Sequence, residues 1–424
     1  MAKTIFVFPL ETKINDTVQL TIEFTVVGAA DTYFYPANEG IRVIDYGNVS
    51  WEYDPEDPVM VPGDLSLKIH DENGLLEGYV FPGPANTTID PRAQVKLEIN
   101  GTTDFLGFID ESSASYTEDD KTLVFDAYSS IEKISNQMLI DHDDQVVDPF
   151  GYGPGFARTL ITDILEDIFQ LADSSIAYPT NLEIIQNWQY HGYDNTGGSG
   201  ANIVFDFTDL KLNTDDLFND PAQTEKTAGA LLASLAKSFF CFAGLIHNQR
   251  AFFRQLFTAS GNNQTLGTVL YHRKSYEYNL VDWVRFDSDA FTAGADYAGT
   301  YGTETQREDR IIDEMVRVYF WIQTTSPFTI QTNTTATDSS TLYYIYGAKN
   351  PGDPAYLNNA KMLAQEFGKW RTNIKNQEIH YFEVAGISYD FLKDFTYNGE
   401  TFQILALEKD IEMGYSKIKA VNLG

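Results

Sequence analysis

The sequence predicts a mainly β protein with an α+β insertion, in which two related β modules flank a helix-containing subdomain. Three observations lead there. A hairpin-centred unit at residues 94–128 recurs in shortened form at the end of the chain. Short alternating strands separated by dense Pro, Gly and Asp punctuation fill the first third, and helical periodicity is concentrated in the middle. The expected divisions are 1–135 for a first β module with an N-terminal extension, 136–275 for an inserted α+β subdomain, and 276–424 for a second β module with one helix.

The first hairpin is spelled out by residue type. Val95, Leu97 and Ile99 alternate with Lys96 and Glu98, Asn100-Gly101 supplies a positive-φ turn, and the chain returns through Phe105 to Ile109. In the echo, Phe395-Thr396-Tyr397 lead into Asn398-Gly399, and the return runs through Phe402, Ile404 and Leu405 toward Lys417-Ile418-Lys419-Ala420-Val421. Both copies read strand, Asn-Gly, a Thr-bearing step, Phe, strand, acidic loop, strand. One Asn-Gly hairpin is common in any β protein; two such units about 300 residues apart point to a pair of related modules with an insertion between them.

Upstream of the first hairpin, Ile5-Phe6-Val7-Phe8, the run from Val18 to Phe24, Ile41-Arg42-Val43-Ile44 and Leu65-Ser66-Leu67-Lys68-Ile69 all have strand character. Asp54-Pro55, Asp57-Pro58, Pro62-Gly63-Asp64, Pro82-Gly83-Pro84 and Asp90-Pro91 mark the connections, as in a barrel or sandwich. After the hairpin the period changes. Ser129-Ser130-Ile131-Glu132 fits a capping box, with Ile131, Ile134 and Met138 on one face of the helix that would follow.

In the middle, Leu160, Ile161, Ile164, Leu165, Ile168 and Leu171 predict a helix to about Ala172. A second helix, carrying Ala228, Leu231, Leu232, Leu235 and Phe239, runs straight into a hairpin of residues 242–245 and 251–253, an α+β arrangement. Strands are expected again at 281–286 and 315–321, long loops at 287–309 and 324–341, and a last helix over 356–371.

Composition narrows the function classes. A chain of 424 residues that is 43% hydrophobic and 14% aromatic is long and apolar enough for two or three packed domains. No run of about 18 apolar residues spans a membrane, and the opening Met-Ala-Lys-Thr lacks the apolar core of a secretory signal, so a soluble protein made without export is expected. The single cysteine, Cys241, lies in an apolar run and reads as a small buried hydrophobe. With 61 acidic and 29 basic residues the net charge is −32, and residues 101–151 hold 12 Asp or Glu against 2 Lys. Tight nucleic-acid binding needs clustered cations and is disfavoured. Solubility is the plain use of such charge; a wall that DNA slides past without sticking is another.

No catalytic, cofactor-binding or metal-ligating residue is assigned. The P-loop, zinc-protease, nucleophile-elbow and EF-hand patterns are absent from the sequence. Gly151, Gly153 and Gly155 precede a helix, but Pro154 removes an N–H that a phosphate would need. Asp141-His142-Asp143-Asp144 has the oxygens for a divalent cation and the composition of a solvated loop. His70, His142, His191, His247, His272 and His380 show no ligand spacing. Many carboxylates could pair for glycoside hydrolysis, yet nothing singles out one pair. Trp51, Trp188, Trp283, Trp321 and Trp370 could line a sugar groove, with a core role as the default.

Leu97-Glu98-Ile99-Asn100-Gly101, Phe105-Leu106-Gly107-Phe108-Ile109-Asp110, and the strand from Thr122 to Tyr128 running into a helix at 131–139 resemble the first barrel of phage-tail baseplate hub proteins. Residues 231–253 are similar to the hub's inserted subdomain, and 402–421 to its second barrel. The resemblance covers the chain from about Leu65 onward and departs from the family at 31–58. It implies two β-barrel tube modules and no active site or cofactor. It also implies a hub in the virion tail tip, assembled in the host cytoplasm. That hub would join the tail tube or distal-tail protein to a spike or fibre protein, as a homotrimer whose acidic channel passes DNA without binding it. A distal-tail ring protein is the neighbouring alternative; a polysaccharide-binding or glycan-degrading β protein is the alternative from another class.

Overall fold

The computed structural model describes residues 1–13, 16–28, 30–35, 39–54, 59–60, 63, 65–83, 89–90, 92–140, 158–186, 189–194, 201–209, 211–213, 226–238, 241–246, 250–276, 296–301, 316–321, 330–331, 341–342 and 378–423. Among the described residues strands dominate, and helices are confined to a few short segments.

A nine-stranded N-terminal sheet runs across Thr32–Phe34, Ala2–Leu10, Val18–Val26, Gln94–Ile99, Thr102–Ile109, Thr122–Ser129, Leu65–Asp71 and Ile41–Tyr46, with Ser115–Thr117 added beside Thr122–Ser129. The two-residue periodicity dictates its faces. Leu65, Leu67 and Ile69 are buried while Ser66 and Lys68 are exposed, and Val95, Leu97 and Ile99 point inward while Lys96 and Glu98 do not. Asp71 closes its strand in an unusual way. Fully buried, its carboxylate accepts the backbone N–H groups of Leu75 at 3.0 Å and Glu77 at 2.8 Å, satisfying donors at the entry of the short helix Glu77–Val80.

The C-terminal sheet has seven strands: Asn263–Gln264, Asp394–Tyr397, Glu400–Asp410, Tyr415–Asn422, Glu378–Ala385 and Val269–Tyr276 in spatial order, with Val49–Glu52 beside Glu400–Asp410. Both Asn-Gly hairpins are present. Ile99 pairs with Thr102 around Asn100 (φ 51) and Gly101 (φ 76), and Tyr397 pairs with Glu400 around Asn398 (φ 53) and Gly399 (φ 87). Positive φ at both central residues is the turn whose twist matches a hairpin.

The repeat extends well beyond the hairpins. In the N-terminal sheet the strands Ile41–Tyr46, Leu65–Asp71, Gln94–Ile99, Thr102–Ile109 and Thr122–Ser129, taken in chain order, lie side by side as third, fourth, fifth, second, first. The strands Val269–Tyr276, Glu378–Ala385, Asp394–Tyr397, Glu400–Asp410 and Tyr415–Asn422 lie in the same sequence of places, and all of these pairings are antiparallel. Each half of the chain thus carries one copy of a five-strand topology.

Between them, Leu182–Ile185, Arg250–Gln255, Cys241–Ile246 and Val59–Met60 form a four-stranded sheet. The helices Ile161–Gln170 and Ala228–Ser238 pack here, with Ile161, Ile164, Leu165, Ile168, Leu231, Leu232 and Leu235 fully buried. Gly244 is required where Val59–Met60 joins: a Cβ there would sit 2.7 Å from the Met60 carbonyl oxygen. One continuous cluster of buried side chains runs through both large sheets and the helices.

Several local expectations are corrected. The capping box at 129–132 does not form: the helix is only Glu132–Asn136, its N-cap Ile131 has no side-chain cap, and Met138 begins the strand Met138–Ile140 that pairs with Lys226–Thr227. That pairing outcompetes further helix. Within the expected loop 287–309, Asp296–Tyr301 is a strand paired with Val316–Trp321, and within 324–341 Ile330–Gln331 pairs with Thr341–Leu342. Backbone pairing there overrides a polar, glycine-spotted composition. The expected strand at 281–286 and helix at 356–371 lie outside the described residues. Val269–Tyr276, at the end of the range 136–275, pairs in the C-terminal sheet.

Candidate functional site

Among the described residues, those that the sequence singles out for their chemistry are not gathered into a reaction centre. Asp141 to Asp144, His142, His247, Trp188, Trp283, Trp370 and the Gly151 to Gly155 run lie outside the described residues. Cys241 is fully buried, and burial pushes its thiol well above the ordinary value, the reverse of an activated nucleophile. His70 makes a 3.2 Å contact to the Asp120 carbonyl at the sheet surface. Trp51 is a core residue. Among the described residues no three His, Cys, Asp or Glu side chains are grouped to hold a metal ion, and no helix is long and apolar enough to cross a membrane.

What the structure builds instead is a junction between its two large sheets, made mostly by the stretch that departs from the resembled family. After Ile41–Tyr46 the chain leaves the N-terminal sheet and lays Val49–Glu52 antiparallel on Glu400–Asp410, Val49 opposite Lys409 and Trp51 opposite Leu407. It then adds Val59–Met60 to the middle sheet before returning at Leu65. About a dozen residues therefore tie three sheets together. Val49 and Trp51 are buried at 0% and 1% exposure, so the crossing strand is a core element and not a surface strap.

A charged contact seals this junction. Lys409 of the C-terminal sheet pairs with Asp104 of the N-terminal sheet, with side-chain exposures of 1% and 5%, and the ammonium lies 5.3 Å from the centre of the Trp51 ring. Nearer the surface, Asn100 Nδ2 donates to Asp16 Oδ1 at 2.6 Å and to Ser388 Oγ at 2.9 Å, while Asn100 Oδ1 accepts the Thr17 N–H at 2.9 Å. The turn residue that shapes the first hairpin thus also docks it on the second module. Asn48 Nδ2 donates to Glu408 Oε1 at 3.0 Å, and Lys13 N donates to the Glu412 carbonyl at 3.3 Å.

A second charged contact joins the middle sheet to the C-terminal sheet. Arg254, wholly buried, reaches Asp394 Oδ1 at 2.5 Å and the carbonyls of Leu392 and Thr258 at 2.9 and 3.1 Å. Asp394 Oδ2 accepts from Ser260 N and Oγ. Burial holds the Arg254 guanidinium below its ordinary value, against the pull of Asp394. Arg250 bridges Asp390 at 3.0 Å and Glu183; burial works against its charge, and the two carboxylates outweigh it, raising its value. Geometry of this kind fixes orientation between packed units.

The sequence showed no paired histidines, but the fold brings two together. His272 and His380 lie on neighbouring strands with Nε2 and Nδ1 3.0 Å apart. Nothing local signals this, because the residues are 108 positions apart in the chain and meet only through strand pairing.

No protein-family model matches the chain, and no curated protein matches it in sequence. Among solved structures it is similar to the prophage MuSo2 43 kDa tail protein from Shewanella oneidensis, at 13% identity and TM-score 0.40 over 90% of this chain and 96% of that one. The tail protein from Neisseria meningitidis MC58 is similar at 9% identity and TM-score 0.42, over 95% and 96%. An E. coli component of the type VI secretion system, described as structurally similar to T4 bacteriophage tail proteins gp27 and gp5, is similar at 8% identity and TM-score 0.36, over 90% and 76%.

Proposed function

We propose that this chain is a structural, non-enzymatic hub of a phage or phage-derived tail tip, joining the tail tube or a distal-tail protein to a spike or fibre assembly. The observation that carries the reading is the repeated five-strand topology, held as one body by the crossing strand Val49–Glu52 and the buried Lys409–Asp104 contact. A tail tube is a stack of six-fold rings and the spike below it is three-fold. A chain bearing two like modules matches both symmetries when three copies close a ring with six modules. Each contact in such a ring is heterologous, so closure covers strand edges that would otherwise invite uncontrolled pairing.

A net charge of −32 suits a conduit wall, since like-charge repulsion keeps passing DNA from adhering. For this chain the hub assignment is a proposal resting on the repeat and on the residues that resemble the hub family. Labelling an epitope on the chain in purified particles tests it. A label at the tail tip supports the hub, whereas a label on the capsid, or on the fibres alone, overturns it.

A further inference from the structure

We propose that the His272–His380 pair is an acid-sensitive clasp on two neighbouring strands of the C-terminal sheet, Val269–Tyr276 and Glu378–Ala385, that flank residues 277–377 in the chain. The two strands pair antiparallel, with Tyr276 opposite Glu378 at the end of the described pairing. Two residues in from that point Lys274 is opposite His380, and two further His272 is opposite Phe382. The imidazoles meet diagonally across the pair, Nε2 to Nδ1 at 3.0 Å, with ring centroids 5.2 Å apart and planes 24° from parallel. At that distance one nitrogen donates and the other accepts, which needs at least one proton-free nitrogen; two imidazolium rings present only donors to each other.

The surroundings favour the less charged state. His272 stacks on Phe382 at 4.5 Å and meets the Tyr397 ring at 5.0 Å, while His380, 4% exposed, lies 4.7 Å from the Phe402 ring. Lys274, on the same strand as His272, adds repulsion to a second proton. Among the carboxylates on the packed strands, Glu383 lies at the opposite strand parity to His380, Asp394 is held by Arg254, and Glu400 is exposed at the hairpin turn opposite Tyr397. Glu378 begins the strand two positions from His380. Burial, then His380 and Lys274, hold His272 below its ordinary value. The folded state therefore resists a proton that the unfolded state accepts. The clasp's contribution is intact above the ordinary histidine value of about 6.5 and declines as pH falls from there toward the depressed folded value.

Backbone amide exchange on the full chain at pH 7.5 and pH 5.5, corrected for intrinsic rates, tests this. Opening of Val269–Tyr276 and Glu378–Ala385 is expected to rise severalfold at the lower pH, with Leu65–Asp71 and Thr122–Ser129 as unchanged references. In His272→Gln and His380→Gln the acid response of the two clasp strands is expected to vanish. An acid response no larger in the clasp strands than in the reference strands overturns the proposal, and so does one that persists in both variants. If the variants do not fold, NMR titration of the wild-type imidazoles decides: the proposal requires one ring of the pair to resist protonation, and two independent titrations at the ordinary value overturn it.

Discussion

Lys409 and Asp104, on strands from opposite halves of the chain, meet as an ion pair in which both side chains are almost completely withdrawn from water. Removing one partner leaves the other charge buried. Lys409→Met and Asp104→Leu should each lower unfolding stability by about 3–5 kcal/mol, and the double variant should lose much less than the sum, because matched apolar groups relieve the desolvation cost. Denaturant unfolding of the four proteins in a double-mutant cycle measures this; additive losses would mean the two residues are not energetically linked.

Cooperativity across the junction follows from the crossing strand. Trp51 is 1% exposed, and Trp51→Ala should cost about 3–5 kcal/mol through the cavity it leaves. In the wild type, far-UV circular dichroism and tryptophan fluorescence should report one coincident transition for the two sheets. Separate transitions in the wild type would show that Val49–Glu52 does not bind the modules into one unit.

At the glycine of each Asn-Gly turn the strain is local to the backbone. A Cβ built on Gly101 or Gly399 meets nothing within 4 Å, so substitution there tests backbone conformation and not packing. Gly101→Val and Gly399→Val should each destabilise by about 1–3 kcal/mol, the price of a β-branched residue at positive φ. Thermal melts unchanged by either substitution would contradict the turn geometry.

How much of this was visible in the sequence depended on range. Both hairpins were legible because Asn-Gly and the flanking alternation act over a few residues. The remaining two strands of each repeat carry no local mark of equivalence, since their connections differ: in the first copy Val49–Glu52 and Val59–Met60 join other sheets, and in the second residues 277–377 intervene. Val49 and Trp51 alternate with Ser50 and Glu52, yet no local signal says that the partner strand lies near the far end of the chain. Lys409 did leave a trace: it shares strand parity with the buried Leu407, an inward position that calls for a buried counter-charge. The failed capping box at 129–132 shows the opposite case, a local helix signal overruled by the pairing of Met138–Ile140 with Lys226–Thr227.

The non-enzymatic reading makes a separate prediction. Purified protein should give no turnover on a panel of bacterial glycans and peptidoglycan. Hydrolysis abolished by replacing one carboxylate pair would move the assignment to the glycan-degrading alternative.

The rotational order of the ring in the assembled particle tests the hub reading most directly, and electron cryo-microscopy of that particle measures it. The account predicts three copies of this chain around the tail axis, presenting six β modules to the tube, with a lumen that is not lined mainly by Lys and Arg. A ring of another rotational order, or a predominantly basic lumen, would contradict it.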